Sequence, residues 1–110
     1  MGNESKIATD EVSRAFTDLR VCVVIPTYNN AATIATVISD TLQYTNHIIV
    51  VNDGSTDDTA NIVEGFEAIT VVSYLPNQGK GMALRTGFKK AVELGYEHAI
   101  TIDSDGQHFA

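Results

Sequence analysis

The chain has 110 residues, enough for one domain, and its 44% hydrophobic and 19% charged residues form an ordinary globular composition. Its net charge of −7 argues against nucleic acid as a partner, because binding a phosphate backbone needs a basic surface. No apolar run approaches the roughly 20 residues of a membrane span, and a lone cysteine, Cys22, forms no internal disulfide. These features favour a reducing, cytoplasmic compartment or, for a longer protein, the inner face of a membrane.

The first 20 residues form a polar extension, and we expect the folded domain to comprise residues 21–110. Four apolar residues in the extension have the spacing of a weak helix, either docked or frayed: Ile7, Val12, Phe16 and Leu19. We expect no functional residue in this extension.

Four apolar segments predict β-strands at residues 21–25, 47–51, 69–74 and 96–102. The first two are continuous and rich in β-branched residues, which is typical of strands buried on both faces of a parallel sheet. Polar or turn-forming residues follow each segment.

Helical spacing predicts one helix in each interval between these strands. The first begins near Ala31, with Asn30 as its N-cap. Ser55 and Asp58 have capping-box spacing before the second helix.

The third predicted helix covers residues 81–94 and ends at Gly95. Its apolar residues favour an inward face of Leu84, Phe88, Ala91 and Val92. Alternating strands and helices predict an α/β fold with right-handed crossovers and a parallel sheet covered on both faces. In such sheets ligands bind at the carboxyl ends of the strands, where most of the unusual polar residues of this chain lie.

Asp103 and Asp105 follow the fourth predicted strand. In extended chain, alternate residues point the same way, so both carboxylates can face one ligand. Carboxylate oxygens together with phosphate oxygens suit Mg2+ or Mn2+. The alternative is a polar loop with helix-capping aspartates, and this motif alone leaves both interpretations open.

Two further loops lie at the same predicted edge. Asn52-Asp53-Gly54-Ser55 is ordinary turn chemistry by itself, but its place after a buried strand makes Asp53 a candidate to accept hydrogen bonds from a base or ribose. The loop from Asn77 to Gly81 precedes a helix and contains Lys80, a combination that favours anions. It lacks the spacing of a Walker A loop.

Four motifs, in order and at matching spacing, resemble glycosyltransferase family 2, and most closely its group of dolichyl- and polyprenyl-phosphate mannosyltransferase-like enzymes. They are Val24 to Asn30, Val50 to Thr59, Asn77 to Gly87 and Asp103 to His108, so the resemblance covers about residues 21–110. It implies a GT-A fold, a Rossmann-like sheet that binds nucleotide diphosphate sugars. Asn30 stands where one subgroup has Glu, and Asn52 replaces a common Asp.

The resemblance also implies roles for individual residues. Asp53 would bind the base edge or ribose, and Lys80 would lie near the phosphates. Asp103 and Asp105 would ligate the metal, with Asp103 also near the ribose and Gln107 beside the site. Nucleoside-pocket residues implied in the same way are Pro26, Tyr28, Asn30 and Val51.

The implied reaction is inverting, metal-dependent transfer of a sugar from a UDP- or GDP-sugar to a polyprenyl phosphate or a saccharide. Family domains continue well beyond the Asp-x-Asp motif, so a catalytic base and most of the acceptor site are expected beyond residue 110. We therefore expect this chain to bind donor nucleotide and to be incomplete for catalysis.

Two alternatives stay open. An apolar strand that ends in Asp-x-Asp-Gly also resembles haloacid dehalogenase phosphatases, although Gln107 departs from their pattern. The chain could otherwise be a non-catalytic nucleotide-binding or assembly module. An open sheet edge would then pair two copies as a homodimer.

Overall fold

The computed structural model describes residues 2–104, with side chains from residue 10 onward. It contains a four-stranded sheet in which every pairing is parallel, in the order β3-β2-β1-β4. The strands are β1 (Val21–Thr27), β2 (Ile48–Asp53), β3 (Thr70–Tyr74) and β4 (His98–Thr101). The helices are α1 (Gly2–Asp18), α2 (Ile34–Leu42), α3 (Thr59–Glu64) and α4 (Lys80–Glu93).

Helices cover both faces of the sheet, as the sequence predicts. On one face, α2 and α3 bury Ile38 and Val63 against alternate residues of β1 and β2, such as Ile25 and Val50. On the other face, α4 packs on the intervening residues of the same two strands. Because successive strand residues point to opposite faces, continuous apolar strands supply both cores. The α/β fold class is confirmed.

The predicted inward face of α4 is confirmed at Ala91 and wrong at Phe88 and Val92. The helix buries Ala83, Gly87 and Ala91, whereas Phe88 is 41% and Val92 74% exposed. A Cβ atom on Gly87 would lie 2.4 Å from Val24 Cγ1, so the helix backbone approaches the sheet too closely for larger side chains. Hydrophobicity alone favoured the large side chains Phe88 and Val92, but only small residues allow the helix backbone to lie this close to the sheet.

Both predicted N-terminal caps are also wrong. Thr33, not Asn30, occupies the N-cap position of α2, and Asp58 occupies that of α3; neither side chain makes a capping hydrogen bond. The Ser55 hydroxyl instead accepts a hydrogen bond from the Asn29 amide. These polar side chains join neighbouring loops at the carboxyl edge of the sheet.

The N-terminal helix α1 is docked. Ser13 donates a hydrogen bond to the Tyr44 carbonyl, and Thr17 Oγ1 lies 3.2 Å from Nε2 of His47. The other ring nitrogen of His47 lies 2.7 Å from the Tyr96 hydroxyl, as expected of a structural histidine. These contacts lie at the amino ends of β2 and β4. The boundary between an extension at 1–20 and a domain at 21–110 stays a prediction.

Candidate functional site

A pocket of about 270 Å³ lies at the carboxyl edge of the sheet. The loops that follow β1, β2, β3 and β4 all contribute to it, because the carboxyl ends of parallel strands meet at one edge. Six predicted site residues are among those that line it: Pro26, Tyr28, Asn30, Asp53, Lys80 and Asp103. These six predicted residues therefore meet at one pocket on the sheet edge.

Lys80 and Asp103 form an ion pair within this pocket. Lys80 Nζ lies 2.8 Å from Asp103 Oδ1, and both side chains are about half exposed, at 62% and 49%. Lys80 is the first residue of α4, and Asp103 follows β4. The pair thus connects the start of α4 to the loop after β4, and it holds an ammonium group against the first predicted metal ligand.

The Asp53 carboxylate faces the loop that leads into α4. Residue Asp53 is 3% exposed. Its Oδ2 accepts hydrogen bonds from Asn77 Nδ2 at 2.7 Å and from the Gly79 amide at 3.0 Å, while Oδ1 accepts one from the Gln78 amide at 2.9 Å. Sequence reasoning expected a contact with base or ribose and missed this loop contact, because it requires β2 and the 77–79 loop to be neighbours.

Gly54 allows that loop to pack directly on the end of β2. Its φ of +71° lies in the left-handed region, and a Cβ atom would lie 2.2 Å from the Asn77 amide nitrogen. Any side chain at this position would therefore push the loop away. Asp53 and Gly54 together fix where the 77–79 loop runs.

Asn30 and Ser104 join the loops that follow β1 and β4. Asn30 Oδ1 accepts hydrogen bonds from Thr27 Oγ1 at 2.9 Å and from the Tyr28 amide at 3.1 Å. The buried Ser104 hydroxyl lies 2.7 Å from the same oxygen and 2.8 Å from the Pro26 carbonyl. Sequence reasoning did not single out Ser104, since its only signal was its position between two aspartates.

The nucleoside candidates differ in their accessibility. Tyr28 is 45% exposed at the pocket, so its ring is available for stacking. Val51 is fully buried, and its side chain packs in the core beneath α4 rather than in the pocket. Asp105 and Gln107 lie outside the described residues.

Tyr74 lies behind the Asp53 carboxylate. Its hydroxyl oxygen is buried and has no hydrogen-bond partner within residues 2–104. Burial raises the pKa of Tyr74 to about 12, and the nearby Asp53 carboxylate adds to the effect. The phenol is therefore neutral at physiological pH, next to a carboxylate that receives its hydrogen bonds from the loop.

The donor chemistry of the pocket fits a divalent cation. Among residues 2–104 there is no cluster of three potential metal-ligating side chains. However, Asp103 presents a carboxylate that already holds one cationic group, the Lys80 ammonium. Mg2+ commonly uses only one or two carboxylates and takes its other ligands from water and substrate phosphates. Asp103 suits that role, and Asp105 is the predicted second ligand.

The parallel sheet and the pocket at its carboxyl edge define the Rossmann-like class of nucleotide-binding α/β domains. Within that class, the sequence profile of glycosyl transferase family 2 matches residues 22–110. The chain belongs to this family. Its membership replaces the phosphatase alternative, and the GT-A fold expected from the four motifs is confirmed.

Curated relatives include sugar transferases that act on lipid phosphates. A UDP-N-acetylglucosamine–dolichyl-phosphate N-acetylglucosaminyltransferase of Methanococcus voltae is 36% identical, covering 83% of this chain and 43% of that protein. A polyprenol monophosphomannose synthase of Mycolicibacterium smegmatis is 29% identical, covering 81% of this chain and 36% of that protein. The chain thus spans less than half the length of these relatives.

A solved structure of similar fold contains both nucleotide and metal. Glucosyl-3-phosphoglycerate synthase from Mycobacterium tuberculosis, in complex with Mn2+, UDP and glucosyl-3-phosphoglycerate, matches with a TM-score of 0.66 and 28% identity. The match covers 87% of this chain and 37% of that one. In the part of the chain that the structure describes, no helix combines the length and apolar character required to span a bilayer.

Proposed function

We propose that this chain is the donor-binding part of a glycosyltransferase and that its pocket binds a nucleotide diphosphate sugar, UDP- or GDP-linked. The observation that carries the proposal is the pairing of Lys80 with Asp103 at 2.8 Å in a pocket formed by the carboxyl ends of the strands. One group suits phosphate oxygens and the other suits a divalent cation. The solved relative that contains UDP and Mn2+ supports this choice.

Each predicted site residue has a proposed role. Tyr28 stacks on the base beside Pro26, and Asp53 contributes to the nucleoside end. Lys80 contacts the phosphates. Asp103 and Asp105 hold Mg2+ or Mn2+, with Gln107 beside them. Asn30 and Val51 contribute to nucleoside binding indirectly, by supporting the backbone of the pocket.

The proposed chemistry is inverting transfer of the sugar to an acceptor oxygen. When bound, the divalent cation supplies Lewis-acid stabilisation to the departing nucleoside diphosphate. Lys80 provides a second positive charge near the same leaving group, and the lining loops orient the donor. We place the base required for a sugar-hydroxyl acceptor in the longer part of relatives that this chain does not span.

For the acceptor we propose a polyprenyl phosphate, with a saccharide as the other candidate. The names of the Methanococcus voltae and Mycolicibacterium smegmatis relatives support the lipid phosphate. A phosphate oxygen is already ionised at neutral pH and can attack without a general base. Such an acceptor would therefore require less catalytic machinery than a sugar hydroxyl does.

Calorimetric titration with UDP and with GDP, each with and without Mn2+, tests the donor site. We expect metal-dependent binding of one nucleotide and its loss in Asp105→Ala, with Asp40→Asn as a control for charge on the exposed surface of α2. Metal-independent binding, or equal binding by Asp105→Ala, would refute the assignment of the metal ligands.

An assembly role is a second proposal, because no strand among residues 2–104 pairs with the outer edge of β4. All four residues of β4 are exposed, and Ile100 retains 49% of its surface. An unpaired edge strand is a template for pairing with another strand. Sedimentation equilibrium over a range of concentrations would reveal a dimer, and a monomer throughout would exclude pairing through this edge.

A further inference from the structure

The Asp53 carboxylate is almost entirely committed to one neighbouring loop. Its two oxygens accept three hydrogen bonds, from the Asn77 side chain and from the amides of Gln78 and Gly79. An ionised carboxylate has about four acceptor positions, so this loop takes most of them. Asp53 is also 3% exposed, which limits how much of it a nucleotide can touch.

The same loop leads directly into the residue that faces Asp103. Gly79 has φ +96° and ψ 161°, a conformation that strongly favours glycine, and it turns the chain into the first turn of α4. Lys80 follows at once, and its ammonium lies 2.8 Å from Asp103 Oδ1. The direction in which Lys80 leaves the loop is thus fixed by two amides that Asp53 holds.

Two observations indicate that this arrangement is specifically built. Gly54 brings the end of β2 so close to Asn77 that a Cβ atom would lie 2.2 Å from the Asn77 amide nitrogen. Asn77 Nδ2 also lies 3.3 Å from the Asp53 carbonyl oxygen, in addition to its bond with the carboxylate. The β2 end and the loop therefore contact each other through backbone and side chains at once.

We propose that Asp53 is a positioning residue: by holding the 77–79 loop, it places Lys80 for the phosphates of the donor. This inference rests on the proposed function and adds to it. It states that Asp53 favours donor binding mainly by positioning Lys80 near the phosphates.

The first test needs no nucleotide. Amide hydrogen exchange measured by NMR should become at least about tenfold faster at Gln78 and Gly79 in Asp53→Asn, because both amides lose a charged acceptor. Asn77→Ala should accelerate the same two amides less, since it removes only the side-chain contact. Asp40→Asn makes the same change of charge on the exposed surface of α2 and should leave both rates unchanged. Unchanged rates at Gln78 and Gly79 in Asp53→Asn would overturn the proposal.

The second test is a double-mutant cycle on UDP binding in the presence of Mn2+, comparing Asp53→Asn, Lys80→Met and the double variant. If Asp53 acts through Lys80, its substitution should weaken binding about tenfold in the wild-type background and much less when Lys80 is already Met. If the fold-losses of UDP affinity in the two single variants multiply in the double variant, Asp53 acts independently of Lys80. That result would mean that Asp53 contacts the nucleotide directly, and it would overturn the positioning role.

The two tests also separate this inference from the proposed function. A wild-type chain that binds no UDP with Mn2+ would refute the donor site and any role of Asp53 in it, even if the amides respond. Binding by the wild type with a multiplicative cycle would refute only the positioning role. If Asp53→Asn does not fold, a double-mutant cycle on UDP binding with Asn77→Ala and Lys80→Met replaces it, because Asn77→Ala changes no charge.

Discussion

Lys80 Nζ and Asp103 Oδ1 lie 2.8 Å apart, and this contact joins the start of α4 to the loop after β4. Both side chains are about half exposed, so the pair itself adds little to the stability of the fold. Its position in the pocket is consistent with the proposed roles of the two groups in binding ligands.

Replacement of Lys80 by Met should therefore affect binding more than folding. We expect Lys80→Met to weaken UDP binding in the presence of Mn2+ by about tenfold, the value of a charged contact to phosphate. Lys90→Met removes the same charge from a residue that pairs with Glu93 on α4, and it should bind UDP normally. Calorimetry measures both, and equal affinity of Lys80→Met and wild type would contradict the role of Lys80.

Gly87 tests the close contact of α4 with the sheet. Gly87→Ala should lower the free energy of unfolding by about 1–3 kcal/mol, because its Cβ would lie 2.4 Å from Val24 Cγ1. Gly81→Ala on the same helix meets no described atom within 4 Å and should raise stability by up to about 1 kcal/mol. Urea unfolding followed by circular dichroism compares them. A neutral or stabilising Gly87→Ala would show that α4 lies further from the sheet.

Tyr74 should make stability depend on alkaline pH. Burial raises the pKa of Tyr74 to about 12 in the folded chain, above its usual value of 10.0. Between these values the unfolded chain binds fewer protons than the folded one, so stability falls as pH rises through this window. Tyr74→Phe should lose less stability than the wild type as pH rises through this window. Thermal melts of both proteins from pH 9 to pH 12 measure the difference.

The same variant has a second expected result at neutral pH. The Tyr74 hydroxyl is buried near Asp53 and Thr86 without a hydrogen bond of good geometry in the described residues, so its removal should change stability by less than about 1 kcal/mol. A clear loss of stability at pH 7 would mean that the hydroxyl makes a favourable contact.

Asn30 should matter more for stability than Ser104. Asn30→Ala leaves the Thr27 hydroxyl and the Tyr28 amide without this acceptor, while the Ser104 hydroxyl keeps the Pro26 carbonyl. Ser104→Ala removes only one donor to Asn30. We expect a cost of about 1–3 kcal/mol for Asn30→Ala and a smaller one for Ser104→Ala. Chemical denaturation gives both values. A larger loss of stability in Ser104→Ala would show that the contact between the β1 and β4 loops depends on the Pro26 carbonyl instead.

The periodicity of the sequence was sufficient to predict the alternating strands and helices, and with them the sheet edge at which the pocket lies. It failed where local geometry decides, as on α4. There Gly87 and two alanines face the sheet because the helix lies close to it, a distance that no hydrophobic pattern encodes.

The site was predictable residue by residue only where a motif resembled the family. Asp53 was selected from its motif and lines the pocket, but its contact with the 77–79 loop depends on which strands are neighbours. Ser104 was missed because a single serine carries no pattern, and its importance follows only from its burial between two loops.

The most direct test of the central claim is an NMR titration of the chain with UDP in the presence of Mg2+. We expect saturable shifts in the amides at the carboxyl edge of the sheet, including Tyr28, Gly79 and Asp103, and none around Thr45 and Tyr96 at the opposite edge. Removal of the metal with EDTA should reverse them. Shifts that cluster elsewhere, or no saturable shift in a folded chain, would contradict a nucleotide site in this pocket.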